Sequence, residues 1–308
     1  MINRILIRIK VLQIVYAHYQ KSNTNLAHAE NELMRSLQKS FELYHYLLLL
    51  ITVLTDLEQK KIDALQYKFL FTEEDRNPNM RFANNRLAEQ LRNNEYLANF
   101  VNQYGYLWED EDRPFLRDLL KEILQSNIYK EYLQTPDTYE SDKSFWSKTL
   151  KDIVLPNDKL NETLDEKNIY WEGNLENVGT FVYKTVKRLK VDSDAQTVLY
   201  PMFRDDEDRR FALTLLHKTL SESKENEELI NTQIKNWDLE RIALIDLYIM
   251  QMALTELKHF PNIPVNVTLN EYIELAHDYS TPKSALFING VLDKIVSELK
   301  NDGKLFKN

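Results

Sequence analysis

Along the first twenty residues apolar side chains recur at steps of four and three, at Ile5, Ile9, Leu12, Tyr16 and Tyr19, which predicts a helix with a core-facing stripe. The polar run KSNTN at 21–25 ends it. A second series, Leu33, Leu37, Phe41, Tyr44, Leu48, Ile51 and Leu54, keeps the helical period and predicts a long helix reaching about Leu65. Pro78 disfavours helix at the residue before it, so 71–79 is a break. The pattern resumes over 81–104 through Leu87, Leu91, Leu97 and Val101, with Gly105 as its stop.

The best-patterned stretch is 237–304. It begins with a nearly continuous apolar run to Leu257, which predicts a helix central to its bundle, with Asp246 placed to cap a second helical segment. Before it, 208–234 predicts a helical stretch with Asp208 as cap candidate and Phe211, Leu215, Leu216 and Leu220 inside. Pro261 and Pro264 set a turn, and Thr268-x-x-Glu271 has the form of a capping box, with Asn270 as a competing cap and Val267 and Tyr272 at staple positions. Thr281-Pro282 opens the last helix, whose core seam is Ile288, Leu292, Ile295 and Leu299. A weak internal repeat relates EDRPFLRDLLKEIL at 111–124 to EDRRFALTLLHKTL at 207–220, and Trp146 with KTLKDIVL loosely matches Trp237 with ERIALIDL. Similar leucine-rich helices also arise by convergence.

Composition agrees with an all-α fold: 5 glycines and 8 prolines in 308 residues are too few for a sheet-and-turn protein. Cysteine is absent, which excludes disulfides, zinc–thiolate sites and a thiol nucleophile and suits a reducing cytoplasm. The apolar run at 44–54 is too short to span a bilayer, and Lys10 interrupts any targeting-type apolar segment, so a mature first helix and no membrane association are expected. A net charge of -9 argues against a generally basic nucleic-acid binder. Yet 1–29 contains no acid while carrying Arg4, Arg8, Lys10 and Lys21, which is either a local phosphate-binding patch or a solvated basic helix face.

On the last helix Lys283, Phe287 and Lys294 share a face at steps of four and seven. An aromatic between two cations offers an unstacked base a π-face and its phosphate two ammonium groups; Phe287 is otherwise ordinary core. Gly290 within that helix costs roughly 1 kcal/mol by propensity and suggests close approach of another backbone or of a partner. No HExxH, phosphate loop or GxSxG occurs and the histidines do not cluster at metal spacing, so no catalytic residue, metal or cofactor is expected.

The pattern IP-x-x-V-x-L-NE-x-x-ELA-x-x-Y, then S-x-x-FINGVLDKI, preceded by LERIALID and MALTEL, resembles the carboxy-terminal half of the NusB family. The resemblance covers 208–300 and, through R-x-x-x-RIKVLQIVY, the first helix. It implies an all-α, NusB-like bundle of two packed subdomains, enlarged by an extra helical region in the middle of the chain. The expected parts are a first helix over 1–21 packed on the carboxy-terminal module, a helical insert over 22–200 and the NusB-like module over 201–304. It also implies a role in transcription antitermination, with boxA-like single-stranded RNA of ribosomal RNA leaders, a NusE-type ribosomal small-subunit protein and the RNA polymerase antitermination complex as partners. Aligned on the family, Arg4 and Arg8 fall where its RNA-facing arginines lie, Tyr16 on its conserved tyrosine, Lys283, Ser284, Phe287 and Asn289 on its RNA-contacting last helix, and Asp246 at an acidic position of the NusE interface; Tyr16 is expected to join the RNA contacts. Leu247 and Gln251 stand where basic residues are common, and the stretch 22–200 is far longer than the usual connection. A NusB-like domain also occurs fused to RNA cytosine methyltransferases, but this chain lacks their cysteine and glycine-rich cofactor domain. The alternative is a protein–protein scaffold of the transcription machinery with reduced RNA binding.

Overall fold

Helical periodicity with few glycine or proline breaks gives a helical molecule. The computed structural model describes residues 1–20, 25–65, 77–105, 107–234, 243–303 and 305, and among these the only bridge pairing is an isolated one between Ile2 and Phe203. Lys21, Trp237 and Lys304, and most of the predicted breaks at 21–25 and 71–79, lie outside the described residues.

The helices are α1 (Arg4–Gln20), α2 (Leu26–Leu65), α3 (Arg86–Arg92), α4 (Glu95–Tyr104), α5 (Arg113–Gln125), α6 (Asn127–Gln134), α7 (Tyr139–Thr149), α8 (Asp158–Lys167), α9 (Leu175–Arg188), α10 (Asp206–Ser221), α11 (Ser223–Gln233), α12 (Leu244–His259), α13 (Val265–Tyr279) and α14 (Ser284–Asn301). They form two compact units, one of Met1 and Gln38–Met202, the other of Ile2–Leu37 and Phe203–Asn308. The turns of α2 before Gln38 belong to the second unit and the rest of that helix to the first.

In the first unit α2 is buried on every side between Glu42 and Thr52, because tyrosines and leucines occupy all its faces there. Tyr46 is flanked by the rings of Trp108 and Trp171, with centroids 4.3 and 5.0 Å away. Their indole N–H groups donate to the carbonyl oxygens of Tyr46, at 3.1 Å, and Lys39, at 2.8 Å, so these buried donors are satisfied. By length and composition α2 could cross a membrane, but 72% of its apolar window is buried within the protein, as in a core helix. The predicted single helix over 81–104 is two helices. Asn85 and Asn94 accept from the amides of Ala88 and Leu97, each starting a new helix inside an unbroken apolar period. Gly105 ends α4 in the left-handed conformation at φ 67°, as its position predicts.

The second unit is built around α12, buried from Tyr248 to Leu257 and packed against α1, α10, α11, α13 and α14. Three predicted starts are corrected. Asp205, not Asp208, caps α10 by accepting from the amides of Glu207 and Asp208. α13 begins at Val265 after Pro264, so Thr268 and Glu271 lie within the helix and form no capping box, and Val267 is exposed rather than stapled to the buried Tyr272. α14 begins at Ser284, just after Thr281-Pro282, and buries Ile288, Leu292, Ile295 and Leu299 as its spacing predicts.

Candidate functional site

Helix α1 does not present the predicted stripe. Ile9 and Leu12 are buried, but Ile5, Tyr16 and Tyr19 are exposed, while Leu6, Ile7, Val11, Ile14 and Val15 fill the core. The helix is covered on most of its circumference, so Arg8 and Lys10 are enclosed too. Arg8 is 4% exposed. Its guanidinium grips Glu256 of α12 through two parallel bonds, Nε to Oε2 and Nη2 to Oε1, both 2.8 Å, and Nη1 reaches Glu271 of α13 at 2.9 Å. Thr268 Oγ1 and Tyr272 O–H donate to the same Glu256 carboxylate at 3.0 and 3.1 Å. Burial opposes the charge on Arg8, but the carboxylates outweigh it and hold its pKa above the ordinary value; burial and Glu256 push Tyr272 well up.

The expectation that Arg8 faces RNA is therefore corrected: its guanidinium is buried and held by the carboxylates of Glu256 and Glu271. Its partners Glu256 and Glu271, and the Thr268 and Tyr272 hydroxyls that also reach Glu256, were missed. The signal was Glu256 set among the apolar residues of α12 and Arg8 set among those of α1, each needing a counter-charge inside.

Lys10 is corrected on the same ground, since it is 2% exposed. Burial lowers its pKa from 10.5 to about 8. Between those values the unfolded chain holds the extra proton, so the fold gains stability as pH rises from about 8 toward 10.5. In pH-dependent urea unfolding the stability of the parent relative to Lys10→Met is expected to rise over this window by up to about 3 kcal/mol.

Asp246 is buried near the start of α12 and caps nothing on its own helix; it accepts from the hydroxyl of Ser280 and, at 2.8 Å, from that of Ser284. This latch fixes the foot of α14 to α12 and places Ser284 inside. Neither residue offers the surface contact expected of it. Two residues along α12, Tyr248 meets α1: the Tyr19 ring stacks on it at 5.0 Å and the Tyr16 ring meets it edge-on at 6.2 Å. Tyr16 remains 42% exposed. Asp246 and Tyr248 lie about 200° apart around the axis of α12, so the start of α14 and the aromatic end of α1 meet nearly opposite faces of its first turns.

From that start runs a solvent-facing strip. At 100° per residue Lys283, Phe287, Gly290 and Lys294 lie within about 60° of one another around the helical axis. Lys283, Gly290 and Lys294 are exposed and Phe287 is half-buried. The close neighbouring backbone expected at Gly290 is absent, since a Cβ there would meet nothing within 4 Å. Gly290→Ala is accordingly expected to raise unfolding free energy by about 0.5–1 kcal/mol in chemical denaturation. Asn289 points to nearly the opposite side of α14, about 200° from Phe287, and does not join the strip.

Arg4 is not brought to this strip either. It stands twelve residues before Tyr16, about 18 Å along α1. Its guanidinium is held by Glu207 at 2.7 Å and Asp208 at 3.5 Å, and lies 5.1 Å from the centroid of Phe211. Gln251, at a position expected to be basic, is buried and donates to the carbonyl of Ser223 at 3.4 Å. Among the described residues no group of His, Asp or Glu is placed to hold a metal ion.

The model of the NusB family matches residues 181–297, which include α10 to α13 and most of α14. A transcription antitermination protein NusB from Salinibacter ruber is 40% identical over 123 residues, covering 38% of this chain and 77% of the relative. One from Koribacter versatilis is 39% identical over 100 residues, 32% of this chain and 68% of the relative. One from Chloroherpeton thalassium is 32% identical over 124 residues, 40% of this chain and 59% of the relative. No solved structure matches this chain. The identity to these relatives and the extent of their length that it covers establish that the chain belongs to the NusB family.

Proposed function

We propose that this protein is a non-catalytic transcription antitermination factor of the cytoplasm. It binds boxA-type single-stranded RNA of ribosomal RNA operons together with a NusE-type ribosomal protein, within the RNA polymerase antitermination complex. The observation that carries the reading is the strip of Lys283, Phe287, Gly290 and Lys294 on α14. An aromatic ring between cations, beside a glycine that leaves the helix backbone open, suits a base stacked on Phe287 while its strand passes close to Gly290. Asp246 serves partner and RNA alike from the interior, by fixing the foot of α14.

Burial of Arg8 and Lys10 and a net charge of -9 favour a second reading, a scaffold of the transcription machinery with reduced RNA binding. Fluorescence anisotropy with a boxA-containing RNA and a scrambled RNA, each with and without the NusE-type protein, separates the two. The proposal predicts preferential binding of the boxA RNA that tightens with the partner. Capture of the partner with no RNA retention supports the scaffold.

A further inference from the structure

The first unit carries a basic groove outside the residues that match the family. It measures about 760 Å³ and lies between the end of α2 and α5. Its floor is apolar: Leu120 is buried, and Leu57 and Leu124 are half-buried. Lys60 and Lys61 of α2 line one side, and Arg113, Arg117 and Lys121, spaced one helical turn apart, line the other. Among the described residues no carboxylate lines it.

Charge on α5 is segregated. Asp118 and Glu122 are drawn to another side, where they accept from Lys159 Nζ at 3.0 Å and Asn157 Nδ2 at 3.2 Å. Arg113 reaches Asp110 at 2.7 Å and Lys61 reaches Glu58 at 3.1 Å. Lys60, Arg117 and Lys121 have no ion-pair partner among the described residues. Five cations gathered on an acidic protein repel one another, and a leucine floor beneath them leaves apolar surface in water. One occupant relieves both costs.

We propose that this groove docks an acidic amphipathic helix of a partner protein. Leucine-like side chains at i, i+3 or i+4 and i+7 enter over Leu57, Leu120 and Leu124, while flanking carboxylates meet Lys60, Arg117 and Lys121. The basic ridge from Arg113 to Lys121 is about 12 Å long, two helical turns, which sets the shortest occupant. A nucleic-acid strand fits less well, because no aromatic ring among the described residues lines the groove to stack a base.

The test uses the full chain and a fluorescent 18-residue peptide with leucines on one helical face and glutamates elsewhere. A peptide of equal composition with its leucines scattered, and an 18-nucleotide oligouridylate, are the comparison probes. Arg117 and Lys121 are exposed, so R117E/K121E should retain the native circular dichroism and melting transition. The patterned peptide is expected to bind the parent and to lose roughly tenfold or more in affinity to R117E/K121E, with the scattered peptide similarly weak. Absence of peptide binding, equal binding of the scattered peptide, or affinity unchanged in R117E/K121E overturns the proposal. So does oligouridylate binding that R117E/K121E abolishes without peptide binding, or self-association that R117E/K121E abolishes, which would make the occupant a nucleic acid or a second copy of this chain.

Discussion

Arg8→Ala should cost on the order of 3–5 kcal/mol of unfolding free energy, measured by urea denaturation, because it strands the fully buried Glu256 carboxylate. The guanidinium supplies two hydrogen bonds to that carboxylate, and Thr268 and Tyr272 supply one each. Neutral hydroxyl donors do not offset a full negative charge removed from water. Glu256→Gln should cost less, since the amide keeps part of the hydrogen bonding without the buried charge. The double variant Arg8→Met/Glu256→Met should recover much of the loss of Arg8→Ala, as apolar replacement of a whole buried pair often does. A loss below about 1 kcal/mol for Arg8→Ala would be the behaviour of an exposed ion pair and would contradict its burial. RNA affinity of Arg8→Ala should fall only as far as the folded fraction falls.

The second large effect is on RNA affinity and separates stacking from charge. Phe287→Ala should weaken boxA RNA binding by about 1–3 kcal/mol, the range for one base–aromatic stack, and leave the dependence of affinity on salt unaltered. Lys283→Gln and Lys294→Gln should each lower the slope of log affinity against log salt by about 0.7, as one phosphate contact to a single strand does. Both lysines are exposed and Phe287 is half-buried, so the lysine variants should keep the parent's stability while Phe287→Ala also requires a melting control. Equal loss of slope in all three variants would mean that Phe287 acts only by holding the helix. Unchanged affinity in all three would remove the strip from the RNA interface.

The all-α class, the long α2, the central α12, the seam of α14 and the stop at Gly105 were legible, because each rests on a local period or a single backbone preference. Starts of helices were read less well where capping chemistry had a competing use. Thr268 and Glu271 have the spacing of a capping box, but both side chains are drawn to the Arg8 and Glu256 charges, a demand that arises only when α1, α12 and α13 meet. The same meeting explains the candidate site. Spacing on α14 could place Lys283, Phe287 and Lys294 on one face, because a helix fixes that geometry by itself. It could not tell a solvent-facing arginine from one whose carboxylate lies 248 positions away in sequence. Asp246 was legible as an important acid and misread as a cap or contact, since its serine partners come from the turn into α14.

The central claim is that RNA meets the strip on α14, not the arginines of α1. It is tested most directly by photocrosslinking a 4-thiouridine-substituted boxA RNA to the full chain with the NusE-type protein present, and mapping the crosslinked peptides by mass spectrometry. Crosslinks within 283–294 are the predicted result. Crosslinks that fall on Arg4 and its neighbours on α10 while 283–294 stays unlabelled would contradict it.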